Sequence, residues 1–145
     1  MKKIKIILIL FIVAVFLVGM ASCKTAADTG AKDKFVIGYD IYWLGNAWSL
    51  QLAEEFKYAI QQEYGDQIEE VYYTSSDGDM AKNLSNFEDL VAKGCDIIFI
   101  TPITPDNLVA SIDDAIDKGI KVIVFGSAYA GEKYTSFINI SDYEW

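Results

Sequence analysis

The residues best suited to binding chemistry lie in one short segment, Tyr42-Trp43-Leu44-Gly45-Asn46-Ala47-Trp48. Aromatic rings cover the apolar C–H face of a sugar, and the amide of Asn46 can both donate to and accept from hydroxyl groups. The segment therefore predicts a sugar-type site, with Tyr42, Trp43, Asn46 and Trp48 as binding residues. The alternative is packing, because Trp48 also continues an apolar helix face, and the pattern alone does not decide between the two.

The composition excludes several kinds of catalytic site. The chain has 145 residues, and its 12 basic residues are all Lys because it contains no His and no Arg. Imidazole catalysis, His-ligated zinc and bidentate Arg contacts are therefore excluded within this chain. The 21 acidic residues bring the net charge to -9, which argues against nucleic acid as a partner.

Motifs for enzymatic chemistry are incomplete. No Gly-x-Gly-x-x-Gly motif follows the first predicted strand, and Glu132 stands where a phosphate-binding loop requires Lys. Thr101, Ser127 and Ser141 have no His to activate them and no Lys close by in the sequence. We therefore expect no catalytic residue, no metal and no cofactor, and hence a protein that is not an enzyme.

The first residues predict export. Three lysines precede an apolar run over residues 6–18, which is too short to span a membrane and typical of a signal peptide. Small residues then lead to Cys23, which resembles the lipidated Cys of a bacterial lipoprotein signal. We expect residues 1–22 to be a signal peptide and residues 23–34 a flexible tether. Through the lipid on Cys23, the tether would hold the protein at the outer face of the cell membrane. The alternatives are an ordinary cleaved signal and an uncleaved anchor.

The body, residues 35–145, alternates predicted strands with predicted helices. We predict strands over residues 35–41, 68–74, 97–100, 122–125 and 137–140, and helices that begin at Asn46, Asp79 and Thr104-Pro105 and end at Gly65, Gly94 and Gly119. This alternation predicts an α/β fold, a doubly wound parallel sheet with helices on both faces and the ligand at the carboxyl ends of the strands. Cys95, at a helix-to-strand junction, is predicted to be a buried thiol.

The last residues carry a helix-start signal. Ser141 and Glu144 are spaced as in a capping box, which predicts a helix beginning at the end of the chain. A single helical turn is not stable by itself. We therefore expect the domain to be incomplete at its C-terminus, the alternative being a frayed natural end.

Residues 34–145 resemble the periplasmic binding-protein family of the ribose and galactose type, the substrate-binding subunits of sugar ABC importers. The resemblance rests on motifs in a fixed order, Ile37-Gly38, Gly45-Asn46-Ala47-Trp48, Ala92-Lys93-Gly94-Cys95-Asp96-Ile97-Ile98, Thr101-Pro102, Lys118-Gly119-Ile120-Lys121-Val122-Ile123-Val124-Phe125 and Ile140-Ser141-Asp142. It implies the first lobe of a two-lobed receptor that closes on its sugar and delivers it to an ABC permease. The membrane would be contacted through the N-terminal lipid only.

The resemblance also implies a set of ligand residues. By position, Tyr42, Asn46 and Trp48 match the family's first-strand ligand loop, Thr101 its polar residue after the third strand, and Ser141 its residue after the fifth.

One further position departs from the family pattern. Gly126-Ser127 stands where ribose-type members carry an Asp-Arg pair, so ribose is not the expected ligand, and Ser127 is the polar candidate there. Asp40, two residues before Tyr42, is a further candidate to reach the pocket.

Three functions compete at this point. The first is the lipid-anchored sugar receptor of an importer, and the second is a sensor of the same fold that signals to a histidine kinase or chemoreceptor. The third is an exported α/β enzyme, for which the chain shows no nucleophile with an orienting base.

Overall fold

The computed structural model describes residues 34–139. They contain, in chain order, β1 (Phe35–Ile41), α1 (Ala47–Glu63), β2 (Ile68–Ser75), α2 (Met80–Ala92), β3 (Ile97–Ile100), α3 (Val109–Asp117), β4 (Lys121–Phe125) and β5 (Ser136–Ile138). The predicted signal peptide, Cys23, nearly all of the tether, Ser141 and the C-terminal capping box lie outside the described residues.

The five strands form one parallel sheet in the order β2-β1-β3-β4-β5. Asp40 of β1 is level with Thr74 of β2 and Ile100 of β3, and Ile100 is level with Val124 of β4. The carboxyl ends of β1, β3 and β4 therefore meet at one edge. The strand order reverses direction at β1 and β3, which is where doubly wound sheets bind ligands. The predicted fold class is confirmed.

Helices cover both faces of the sheet. α2 and α3 pack Phe87, Leu90 and Ile112 against buried β3 and β4 side chains such as Ile98 and Val122. Cys95 is buried in this cluster, as predicted.

The α1 face of the sheet is more aromatic. Phe56 of α1 lies 4.6 Å from Tyr39 and 4.8 Å from Phe99, measured between ring centroids, and Tyr39 lies 5.8 Å from Phe125. Because side chains alternate along a strand, Tyr39 and Ile41 point to the α1 face and Asp40 to the α2 face.

Two helix starts agree with their predicted caps. The Asn46 side chain accepts a hydrogen bond from the Ser49 backbone N–H at 2.8 Å, and the Asp79 side chain accepts one from the Lys82 N–H at 2.8 Å. Each cap satisfies a backbone donor that the first helical turn leaves free. These two residues therefore fix where α1 and α2 begin.

The predicted start of the third helix at Thr104-Pro105 is wrong, because α3 begins at Val109. The Thr104 hydroxyl donates to the Asp106 carboxyl group at 3.0 Å, and the Thr104 N–H donates to the Asn107 side chain at 3.2 Å. These local bonds hold residues 104–107 in a turn that competes with helix formation.

Smaller differences concern the ends and faces of other elements. α1 ends at Glu63, and Gly65 begins a short 3-10 turn, Gly65–Gln67, instead of serving as a left-handed helix cap. β2 continues to Ser75, and β5 covers Ser136–Ile138. Trp48, which also continues the apolar face of α1, is exposed.

Candidate functional site

A cavity of about 260 Å³ lies at the edge where the carboxyl ends of β1, β3 and β4 meet. Its lining consists of Tyr39, Ile41, Tyr42, Asn46, Trp48, Ser49, Leu52, Thr101, Pro102, Ile103, Gly126 and Ser127. Of the predicted binding residues, the structure therefore brings together Tyr42, Asn46, Trp48, Thr101 and Ser127. Ser141 lies outside the described residues.

Asn46 offers the cavity less hydrogen-bonding capacity than its residue type predicts. Its Oδ1 accepts the N–H of Ser49 as the cap of α1. Within residues 34–139, no hydrogen bond uses its Nδ2 group. Asn46 can therefore present an amide donor to a ligand, while its acceptor is occupied by the helix.

Trp48 stands at the rim of the cavity, with 55% of its surface exposed. It lies in the first turn of α1, and the helix core beneath it is formed by Ala53 and Ile60 instead. Within residues 34–139 Trp48 is therefore not part of the core, since a core Trp would be covered. A large exposed indole beside polar groups is suited to stacking against a ring.

Gly126 leaves open the space between Trp48 and Thr101. A Cβ atom built on Gly126 would lie 3.5 Å from the Thr101 Oγ1 and 3.8 Å from the Trp48 Cη2. The φ angle of Gly126 is +75°, a conformation that other residues adopt only with strain. The three residues thus converge on one part of the cavity from α1, β3 and β4.

Ser127 and Thr101 complete the polar lining. The Ser127 Oγ donates to the Pro102 carbonyl at 2.7 Å, which leaves its lone pairs available to accept. The bond also ties the loop after β4 to the loop after β3. Thr101 is nearly buried, with 8% of its surface exposed.

Trp43 does not line the cavity. A Cβ added to Gly45 would lie 2.2 Å from the Trp43 ring, so the ring covers Gly45. Trp43 is also exposed. Its role in binding stays a prediction.

The sequence interpretation missed several lining residues, among them Tyr39, Ser49 and Leu52. The alternation of side chains along β1 could have identified Tyr39. Tyr39 lies on the same face of the strand as Ile41, just before the loop that carries Tyr42. Burial, followed by the nearby Asp40 and Tyr73, raises the pKa of the Tyr39 hydroxyl to about 12. Tyr39 therefore stays protonated at neutral pH.

The cavity lining is uncharged within the part of the chain that the structure describes. Asp40 does not reach it, because its carboxyl group lies on the opposite face of the sheet, where it accepts from Asn83 and Asn86 of α2 at 2.8 Å.

Among residues 34–139, no group of three or more acidic or Cys side chains is placed to hold a metal ion. The arrangement suits reversible binding of a neutral ligand with both apolar and hydroxyl surface.

Comparison with known proteins identifies the family. Residues 37–145, which are most of the chain, match the family model described as a periplasmic binding protein domain. The chain belongs to this family. Periplasmic binding proteins are binding proteins rather than enzymes, and membership implies a location outside the cytoplasm.

Solved structures agree with this periplasmic binding protein fold. An ABC transporter solute-binding protein from Thermobispora bispora is 25% identical, with a TM-score of 0.65 over 72% of this chain and 33% of that chain. The fructose-binding periplasmic domain of a hybrid two-component system is 22% identical, with a TM-score of 0.64 over 72% of this chain and 33% of that one. A solute-binding protein from Clostridium phytofermentans, solved with β-D-glucose, is 20% identical, with a TM-score of 0.64 over 74% and 32%.

The chain spans about a third of the length of these similar structures. No curated protein matches the sequence. Between residues 34 and 139, no helix is both long and apolar enough to cross a bilayer.

Proposed function

We propose that this periplasmic binding protein is an extracytoplasmic receptor that binds a sugar or sugar-like ligand and delivers it to an ABC import permease. One observation carries the proposal: the cavity at the carboxyl edge combines the exposed indole of Trp48 with the neutral polar groups of Asn46, Thr101 and Ser127. Rings and hydroxyl-pairing groups are the chemistry that a carbohydrate requires.

The ligand is uncharged in this proposal. A charged group of a ligand bound against this lining would find no side chain of opposite charge there. The loss of its hydration would then oppose binding. Gly126-Ser127 provides space and one hydroxyl in place of two charges, so we expect a ligand with bulk near Gly126 instead of ribose.

The receptor does no chemistry on its ligand. Thr101 and Ser127 are hydroxyl residues of the cavity lining, and the Ser127 hydroxyl donates its proton to the Pro102 carbonyl instead of to a base. A second lobe would close on the ligand, and the permease would recognise the closed form.

Lipidation of Cys23 would hold the receptor at the outer face of the membrane. The lysines, the apolar run and the small residues before Cys23 support this anchor. Replacing Cys23 with Ser should move the mature protein from the membrane fraction to the soluble fraction of cells. Retention in the membrane by the Cys23→Ser protein would argue for an uncleaved anchor.

A sensory receptor of the same fold is the second candidate. One similar structure is the fructose-binding periplasmic domain of a hybrid two-component system, and this similarity supports a sensory role as the alternative. The neighbouring genes separate the two, because a transporter receptor is expected beside a permease and an ATPase, whereas a sensor is expected beside a histidine kinase or chemoreceptor.

The test of ligand class is a thermal-shift screen of the complete mature protein carrying Cys23→Ser. Pentoses, hexoses, polyols, nucleosides and small peptides form the panel. A ligand at about 100 times its dissociation constant stabilises a protein by about 2.7 kcal/mol, which raises the melting temperature by several degrees. A shift with one sugar class supports the receptor. A shift only with peptides or nucleosides, or none at all, contradicts it.

A further inference from the structure

Asp40 is a fully buried acidic residue outside the ligand cavity. Its Oδ1 accepts from the Thr74 hydroxyl at 2.7 Å and from the Asn86 amide at 2.8 Å. Its Oδ2 accepts from the Asn83 amide at 2.8 Å and from the Ser76 hydroxyl. All four of these partners are neutral donors, so hydrogen bonds satisfy both carboxyl oxygens.

Packing alone does not account for an acid at this position. Ile100 is level with Asp40 on the neighbouring strand β3, and Val124 is level with Ile100 on β4, and both are apolar and fully buried. Burying a carboxylate is unfavourable unless hydrogen bonds offset the loss of water. An apolar side chain would fill the position without that requirement, so the bonds that Asp40 makes are the feature to explain.

The bonds to Asn83 connect Asp40 with the loop after β3. Asn83 is also fully buried, and its Nδ2 lies 3.4 Å from the Thr101 carbonyl oxygen as well as 2.8 Å from Asp40. Its Oδ1 accepts from the Asn107 Nδ2 at 2.8 Å, and the Asn107 Oδ1 accepts from the Thr104 N–H at 3.2 Å. Asp40, Asn83 and Asn107 thus form one polar chain that holds both ends of residues 101–107.

The loop after β3 is also held from the cavity side, by Ser127. The Pro102 carbonyl accepts from Ser127, whereas the preceding carbonyl, that of Thr101, faces Asn83. Thr101 is therefore held between α2 and the loop after β4, with its hydroxyl toward Gly126. A shift of the polar chain would move this hydroxyl relative to Trp48.

Asp40 also bonds to the turn that supports Tyr42. Ser76, whose hydroxyl donates to Asp40, donates its backbone N–H to the Ile41 carbonyl at 3.0 Å. The Gly78 N–H donates to the Tyr42 carbonyl at 3.0 Å. The buried acid therefore organises the backbone behind two cavity residues, Tyr42 and Thr101.

We propose that Asn83, anchored by Asp40, is a positioning residue for the ligand site and holds the Thr101 loop in its binding geometry. The inference rests on the proposed function. Sites that bind through a few polar contacts lose affinity when the supporting residues allow small displacements. The polar chain supplies that support from the face of the sheet opposite the ligand.

Asn83→Leu tests the proposal in the complete mature protein. Leu keeps a side chain of similar size on α2 and removes the links to Thr101 and Asn107. Thr74→Val is the matched control, because it removes another hydrogen bond from the same Asp40 carboxyl group without touching the loop after β3. The readouts are the dissociation constant of the sugar found in the screen and the backbone amide exchange of residues 103–108 without ligand.

We expect Asn83→Leu to weaken sugar binding about tenfold and to speed amide exchange in residues 103–108 about tenfold. Thr74→Val should lower the melting temperature while leaving both readouts within about twofold of the unmodified protein. Should Asn83→Leu fail to fold, Asn107→Ala cuts the same chain at a half-buried residue and carries the same expectation.

Two results would overturn the proposal. One is a loss of stability in Asn83→Leu with unchanged affinity and unchanged exchange, which would make the chain a purely stabilising feature. The other is an equal loss of affinity in Thr74→Val, which would tie affinity to overall stability. If the unmodified protein binds no sugar, the proposed function fails, and the exchange of residues 103–108 still decides whether Asn83 positions the loop.

Discussion

The exposed indole of Trp48 is the residue-scale feature on which sugar binding most depends. Trp48→Ala should weaken the binding of the preferred sugar by about 10-fold to 100-fold, since a stacked aromatic is the kind of contact that dominates binding energy. The free energy of unfolding should change little, because the side chain is more than half exposed. Isothermal titration calorimetry measures the first quantity and urea unfolding the second.

Tyr58 is the matched control for Trp48. It is an exposed aromatic on the same helix, and it is not among the cavity residues. Tyr58→Ala should leave the dissociation constant unchanged. Equal losses of affinity in both variants would mean that the aromatic surface of α1 acts indirectly.

Gly126 allows backbone strain to be separated from occlusion of the cavity. Gly126→Ala places a methyl group near Thr101 and Trp48 and forces Ala to a φ of +75°. Gly94→Ala imposes the same strain at a φ of +76° with nothing within 4 Å of the new methyl group. Both should lose about 1 to 2 kcal/mol of stability, as measured by urea unfolding.

Only Gly126→Ala should also lose affinity for the sugar, as measured by calorimetry. A variant that binds as tightly as the unmodified protein would show that the ligand does not occupy the space above Gly126.

At the scale of elements, Asn46 links the start of α1 to the site. Asn46→Asp keeps an acceptor for the Ser49 N–H, and its negative charge suits a helix N-terminus, so stability should be retained. The same change replaces the amide donor that faces the cavity, so sugar affinity should fall about tenfold. Calorimetry and thermal unfolding together separate the two roles.

Asp79 provides the comparison for the helix cap. Asp79→Ala removes the cap of α2, which lies outside the cavity lining, and should cost about 1 kcal/mol of stability without changing affinity. If Asn46→Asp binds the sugar normally, the Asn46 amide is a cap alone and not a ligand contact.

The elements that the sequence predicts well are those with local signals. Most strands follow from short apolar runs, and α1 and α2 begin at Asn46 and Asp79 because each side chain caps its own helix. The start of α3 was not predictable from Thr104-Pro105, since the bonds within residues 104–107 favour a turn.

The site is predictable only in part. The alternation of strands and helices predicts the edge of the sheet at which the site lies. The residue types predict the aromatic loop after β1. The position of the Trp43 ring over Gly45 depends on the loop backbone, and the shell of Asp40 depends on residues more than 30 positions away in the sequence. Contacts of that range require the fold before they can be specified.

For the whole molecule, buried ionisable groups make stability fall in alkaline solution. Burial raises the pKa of the Cys95 thiol from 9.0 to about 11. Between these values the unfolded chain loses the proton and the folded chain keeps it, so the free energy of unfolding should decrease from pH 9 to pH 11. Tyr39 and Tyr129, whose pKa values burial raises from 10.0 to about 12, should extend the decrease toward pH 12.

Urea unfolding of the unmodified protein and of Cys95→Ala across this pH range measures the effect. The variant should be less stable at neutral pH, because it leaves a small cavity, but its decrease between pH 9 and pH 11 should be shallower. Parallel curves for the two proteins would show that Cys95 does not contribute to the alkaline loss.

The central position of β1 has a consequence for the time course of synthesis. β1 is the first strand of the sheet to leave the ribosome, yet it lies between β2 and β3. Its second edge can pair only after residues 97–100 have been made, and at about 5 to 20 residues per second this takes roughly 3 to 12 s. During that interval the nascent chain exposes an apolar strand with a free edge. The cluster that packs against β3 and β4 therefore cannot form while only β1 and β2 have been made.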